Sequence, residues 1–119
     1  MRLGLCFVLA TALYLAPGPF ARAHAILTDS TPANEAIAGD VRLPVELHFN
    51  CRIDVRHSRL WLVTPGDENV VLPLVETAPS NILKSDALEL QPGAYHLRWQ
   101  VLSVDGHITR GDVPFRVSR

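Results

Sequence analysis

The sequence predicts an all-β fold, an antiparallel two-sheet sandwich of Greek-key type with about seven strands. Three observations carry that prediction. Apolar residues recur at every second position in short runs through residues 41–119, Gly, Pro, Asn and Asp cluster between the runs, and no stretch shows helical periodicity. A chain of 119 residues has room for one domain.

The strands are taken in chain order. Leu43, Val45, Leu47 and Phe49 alternate with Arg42, Glu46 and His48, which makes a strand with one buried face. Residues 60–63 form a second run, closed by the turn Thr64-Pro65-Gly66-Asp67. The run at 70–75 contains Pro73, which has no N–H to give to a ladder and so marks an edge strand. A polar loop through Pro79, Ser80 and Asn81 leads to a weaker strand at 87–90. The turn Gln91-Pro92-Gly93 then opens the clearest alternation in the chain. Tyr95, Leu97, Trp99 and Val101 face one way, and His96, Arg98 and Gln100 the other. Val113, Phe115 and Val117 share a face of the last strand, after a connection containing Asp105-Gly106 and Arg110-Gly111. No internal repeat or low-complexity stretch is visible.

Residues 1–23 read as a secretory signal peptide. Arg2 supplies the positive start, residues 3–15 are almost wholly apolar, and Pro17 and Pro19 precede the small-x-small triplet Ala21-Arg22-Ala23. The competing reading is an uncleaved membrane anchor, for which 13 apolar residues fall short of the roughly 20 that span a bilayer. Cleavage after Ala23 leaves a mature domain of residues 24–119 that begins with His24. It is expected to be soluble and outside the cytoplasm, which in a bacterium means the periplasm. With Arg2 and Arg22 gone, nine Lys and Arg stand against 12 Asp and Glu, a net charge of −3. That balance gives no electrostatic reason to expect nucleic acid or an anionic membrane surface as partner. With no second apolar stretch of membrane length, the mature chain is not expected to insert into a membrane.

Cys51 is the one thiol of the mature domain, so an internal disulfide is excluded. It reads as a small buried hydrophobe, with intermolecular pairing or metal ligation as the alternatives.

The histidines at 24, 48, 57, 96 and 107 are unequal candidates for chemistry. A mature His24 would offer its α-amine and its imidazole to one metal ion, and the amine, with an ordinary pKa of about 7.7–8.0, releases its proton to a metal at modest cost near neutrality. Further donors can come from Asp105-Gly106-His107, where the glycine lets a carboxylate and an imidazole turn toward one ion. Nitrogen and oxygen donors in a near-planar set suit Cu(II), whereas structural zinc asks for a tetrahedral set, usually with thiolates. Asp-Gly is equally a common hairpin signal, and an adjoining histidine can be a plain surface residue.

Several segments together resemble the copper-resistance CopC family of periplasmic copper carriers. They are His24-Ala25-Ile26-Leu27 directly after the cleavage site, Ser30-Thr31-Pro32-Ala33, Leu47-His48-Phe49-Asn50, Ser58-Arg59-Leu60, and above all the stretch YHLRWQVLSVDGHITRGDVPFRV at 95–117. The resemblance covers nearly the whole mature chain, in order and at the right spacing. It implies an immunoglobulin-like β-sandwich holding one Cu(II) through His24, by amine and imidazole, with Asp105 and His107; the chain is expected to be a monomer. The resemblance also makes an inner-membrane copper transporter a plausible partner. Tyr95 and Trp99 become core residues and Arg98 a surface or supporting group.

The departures are Cys51 where the family often has an acidic residue, Ile108 where it often has proline, and the absence of methionine after Met1, which excludes a thioether Cu(I) site. Two other functions compete with a non-catalytic carrier. One is a copper oxygenase built on a histidine brace, which the carboxylate of Asp105 and the small domain argue against. The other is a metal-free interaction module of the same fold.

Overall fold

The computed structural model describes residues 24–39 and 42–118, and the expected signal peptide at 1–23 lies outside them. Eight strands form two facing sheets: β1 Leu27–Thr31, β2 Ala36–Ala38, β3 Arg42–Phe49, β4 Ile53–Val63, β5 Asn69–Val71, β6 Ile82–Glu89, β7 Gly93–Ser103 and β8 Ile108–Val117. The three-stranded sheet runs β1-β3-β6 and the five-stranded sheet β2-β8-β7-β4-β5. Among the described residues there is no helix.

The expected alternation becomes the core. Leu43, Val45, Leu47, Phe49 and Leu83 of the smaller sheet meet Leu60, Leu62, Tyr95, Leu97, Trp99, Val101, Val113, Phe115 and Val117 of the larger one, all buried. Phe49 meets Trp99 edge-on across the sheets with ring centroids 5.1 Å apart, and Tyr95 stacks on Phe115 at 5.7 Å. The Tyr95 hydroxyl donates to the Gln91 carbonyl at 2.7 Å. That bond pins the corner where the chain passes from β6 in one sheet to β7 in the other, as tyrosine corners do in immunoglobulin-like sandwiches.

Five features depart from the expected strands, each for a local reason. Strand β8 already begins at Ile108, so Arg110-Gly111, expected in the connection before it, lies inside the strand, where the inward positions Thr109 and Gly111 carry no large apolar side chain. The run at 60–63 is only the end of β4. Its first half is hidden by a bulge, because Asp54 pairs with Leu102 and Arg59 with Gln100, so three extra residues interrupt the period of two. Strand β6 begins at Ile82, earlier than the apolar residues suggested, because its inward position 85 is a serine whose hydroxyl donates to the Pro73 carbonyl at 2.8 Å. Strand β5 is an edge strand, as expected, but it ends before Pro73, which sits where the chain leaves that sheet for the Leu74–Ser85 bridge in the other. Finally, β1 and β2 add strands that the sequence did not announce, and β2 pairs with β8 in parallel. The short β2 joins the free side of β8 before the chain crosses to β3 in the opposite sheet.

Candidate metal centre

Two separate segments build the site, one ahead of β1 and one between β7 and β8. The first is stitched to the end of β3. Ala25 is buried in the core, the Ile26 N–H donates to Asn50 Oδ1 at 2.7 Å, and the Asn50 N–H returns a bond to the Ile26 carbonyl at 3.0 Å. With Ala25 fixed inside, His24 is held at the surface immediately outside the core.

The second segment is the loop 104–107. The Ser103 N–H donates to the His107 carbonyl and the Gly106 N–H to the Ser103 carbonyl, both at 2.9 Å, which closes a tight reversal. Gly106 has φ +93°, a conformation open to glycine and strained for other residues. Within this reversal Asp105 Oδ1 gathers the hydroxyl of the buried Ser103 and the His107 N–H, the latter at 3.3 Å. His107 Nδ1 lies 3.3 Å from the same oxygen. The Ser103 hydrogen bond, with smaller help from His107, holds the Asp105 carboxyl below its ordinary value of 3.8. Asp105 therefore carries its charge from neutral pH well into acid.

The structure brings the three expected residues together pairwise. The rings of His24 and His107 stand edge to face with centroids 5.1 Å apart, and Asp105 is bonded to His107. Among the described residues no three His, Cys, Asp or Glu side chains are already gathered as a metal cage. The donors are surface groups, with side-chain exposures of 40% for Asp105 and 54% for His107, and exposed side chains change rotamer at little cost. All of the Asp105 contacts described fall on Oδ1, so Oδ2 is the oxygen an incoming cation would meet. Two imidazoles and a carboxylate fit a borderline divalent ion such as Cu(II).

The other histidines are engaged elsewhere. His48 Nε2 lies 3.1 Å from Glu46 Oε2, His57 Nδ1 2.8 Å from Asp54 Oδ2, and His96 Nδ1 2.9 Å from Asp112 Oδ1. Cys51 is partly buried against the core, in keeping with its reading as a small hydrophobe. Tyr95 and Trp99 are core residues, and Arg98 is exposed on the outer face of the larger sheet. Sequence reasoning missed the supporting roles of Ser103, Asn50 and Ala25. The signal for Ser103 was its position two residues before Asp105, the spacing at which a hydroxyl and a carboxylate meet across a turn.

Comparison with known proteins adds four findings. The CopC domain matches residues 27–118, a span that contains Asp105 and His107 and begins three residues after His24. Protein YobA of Escherichia coli K12 is 33% identical over 102 residues, covering 83% of this chain and 82% of that protein. Among solved structures, CopC from Methylosinus trichosporium OB3b superposes with a TM-score of 0.72 at 27% identity, over 80% of this chain and 94% of that one. The copper resistance protein PcoC from Escherichia coli shares the fold, with a TM-score of 0.62 at 21% identity over 78% of this chain and 99% of its own.

Proposed function

The chain belongs to the CopC family, and from that premise we propose that it is a periplasmic Cu(II)-binding protein that sequesters or hands on copper through one mononuclear site. Membership of that family makes it a copper-related binding protein rather than an enzyme. The ligands are His24, by its amine and imidazole once the signal peptide is removed, with Asp105 and His107. Copper is the cargo. The protein's part is to present two nitrogens from one end of the chain and an oxygen and a nitrogen from the other.

The observation that supports this reading best is the meeting of His24 with His107. Residues 83 positions apart in sequence are placed with their rings at 5.1 Å, although nothing in the hydrophobic core requires either side chain to be there. The exposed loop also suits transfer, since a donor or acceptor protein can reach the ion without the sandwich opening. An inner-membrane copper transporter is the partner this reading implies.

The test is Cu(II) titration followed by electron paramagnetic resonance, on protein beginning at His24 and on protein with one extra residue before it. One stoichiometric tetragonal signal that weakens or changes shape in the extended protein is the expected result. Identical weak binding in both would remove the N-terminal chelate and leave a metal-free sandwich.

A further inference from the structure

The outer face of the five-stranded sheet is unusually rich in arginine. Paired residues in neighbouring strands project to the same side of a sheet, as do residues two apart along a strand. The pairings place Trp61, Arg98 and Asp112 in one row across β4, β7 and β8, and Arg59, Gln100 and Arg110 in the next. Arg116 continues the same side of β8 beyond Pro114. This face therefore holds four arginines against two aspartates, Asp112 and, at the far end of β4 opposite Leu102, Asp54, in a chain whose net charge is −1.

Arg98 and Arg110 are held in place by side-chain partners, and Arg59 Nη1, one strand over, donates to the Ser58 carbonyl at 3.1 Å. Asp112 Oδ1 accepts from Arg98 Nε at 3.2 Å and lies 2.9 Å from His96 Nδ1, and Arg98 Nη1 donates to Asn69 Oδ1 at 3.2 Å. Arg110 Nε donates to Gln100 Oε1 at 2.8 Å. Between Arg98 and Arg110 lies a groove of about 320 Å³ lined by Trp61, Gln100 and Asp112 besides the two arginines, and bounded also by Trp99 and Gly111. A guanidinium oriented through one edge keeps its remaining N–H groups for a carboxylate. Arginine and tryptophan together are the residues that dominate protein interfaces.

We propose that this face docks an extended acidic segment of another protein, its carboxylates on Arg59, Arg98 and Arg110 and an apolar side chain against Trp61. Charge complementarity supplies the argument for an acidic partner. Fixed guanidiniums beside a groove favour discrete carboxylates over the diffuse charge of an anionic bilayer, for which orientation is immaterial. The proposal is independent of the copper site.

The probe is a blocked 12-residue peptide of alternating Glu and Tyr, titrated into the full mature protein by calorimetry at low and at physiological salt. Binding should weaken with salt, and by roughly tenfold or more in Arg59→Gln/Arg110→Gln and in Trp61→Ala, as loss of two charge contacts or an aromatic anchor implies. Arg42→Gln, on the opposite sheet, should stay within about twofold, and a peptide with Gln for Glu should not bind. Unfolding midpoints identify any variant that fails to fold, and the Gln peptide on the wild-type chain tests the charge requirement without a variant. Equal affinity in wild type and the double variant would overturn the proposal. So would equal or tighter binding to phosphatidylcholine vesicles containing phosphatidylglycerol, with the same dependence on the arginines. Self-association without peptide that the double variant abolishes would replace the acidic partner with a second copy of the chain, and would also overturn it.

Discussion

At the scale of single residues, Asp105 Oδ1 depends on the Ser103 hydroxyl for its low pKa, and Ser103→Ala should raise that pKa toward 3.8. A carboxyl whose pKa is depressed in the folded state adds stability at pH values above its unfolded value, and that contribution fades as pH falls through the folded value. In Ser103→Ala the contribution shrinks, so the variant should differ from wild type above about pH 4 and converge with it in stronger acid. Carboxyl NMR titration checks the shift, and an unchanged Asp105 midpoint would show that the hydroxyl does not hold it. His107→Ala removes a proposed ligand outright. It should weaken Cu(II) binding by more than roughly 100-fold, because losing even a supporting partner of a metal ligand costs about 10–100-fold. Competition titration against a chelator of known affinity measures it. Asp105 and His107 were legible because a carboxylate, a glycine and an imidazole form a recognisable triplet. Ser103 and Asn50 were not, because their service to Asp105 and Ile26 passes through hydrogen bonds that exist only after the strands are paired.

At the scale of elements, β7 and β8 are joined by ten register pairs from Gly93 with Val117 to Leu102 with Ile108, and Trp99 faces Gly111 within them. A Cβ on Gly111 would come within 2.5 Å of the indole ring of Trp99, which is buried between the sheets. Gly111→Ala should therefore cost about 1–3 kcal/mol, the usual range for overpacking, seen as a lower urea midpoint. Gly106→Ala acts differently. The space around Gly106 is open, but its φ of +93° penalises any Cβ, so the loss should be about 1–2 kcal/mol and accompanied by weaker copper binding as the loop shifts. An unchanged affinity would separate the loop's backbone shape from ligand placement. Strands β3 and β7 and the second half of β8 could be read from sequence because their apolar alternation is unbroken, whereas the first half of β8 could not, since its inward positions are Thr109 and Gly111. The first half of β4 could not, since its bulge adds residues outside the period, nor could β6, where the buried Ser85 takes an apolar residue's place. Strand β1 buries only Ser30 fully and so carries no apolar signature at all.

At the scale of the whole molecule, a ligand that binds only the folded chain stabilises it by mass action, by about 2.7 kcal/mol when free ligand is 100 times its dissociation constant. Copper should accordingly raise the unfolding temperature of the wild type and leave that of His107→Ala nearly unchanged, which calorimetry with and without Cu(II) decides. The two-sheet architecture and most of its core were legible in sequence because a sandwich of this size rests on alternation alone. The parallel attachment of β2 was not, because three residues with one backbone pairing each leave no pattern to read.

His24 precedes β1, which belongs to the smaller sheet, and His107 lies between β7 and β8 of the larger one. An ion held by both would add a stitch at one end of the sandwich. There residues 50–52 already carry the chain from β3 in one sheet to β4 in the other, and the Ile53 N–H donates to the Ser80 carbonyl at 2.8 Å. Residues 24–119 hold a single cysteine, Cys51, so the metal would take the place of a disulfide these residues cannot make, closing a loop of more than 80 residues with a bond that the cargo's departure undoes. Loading would tighten both sheets at that end, and hydrogen exchange at Ile26 and at Ser103 would slow together.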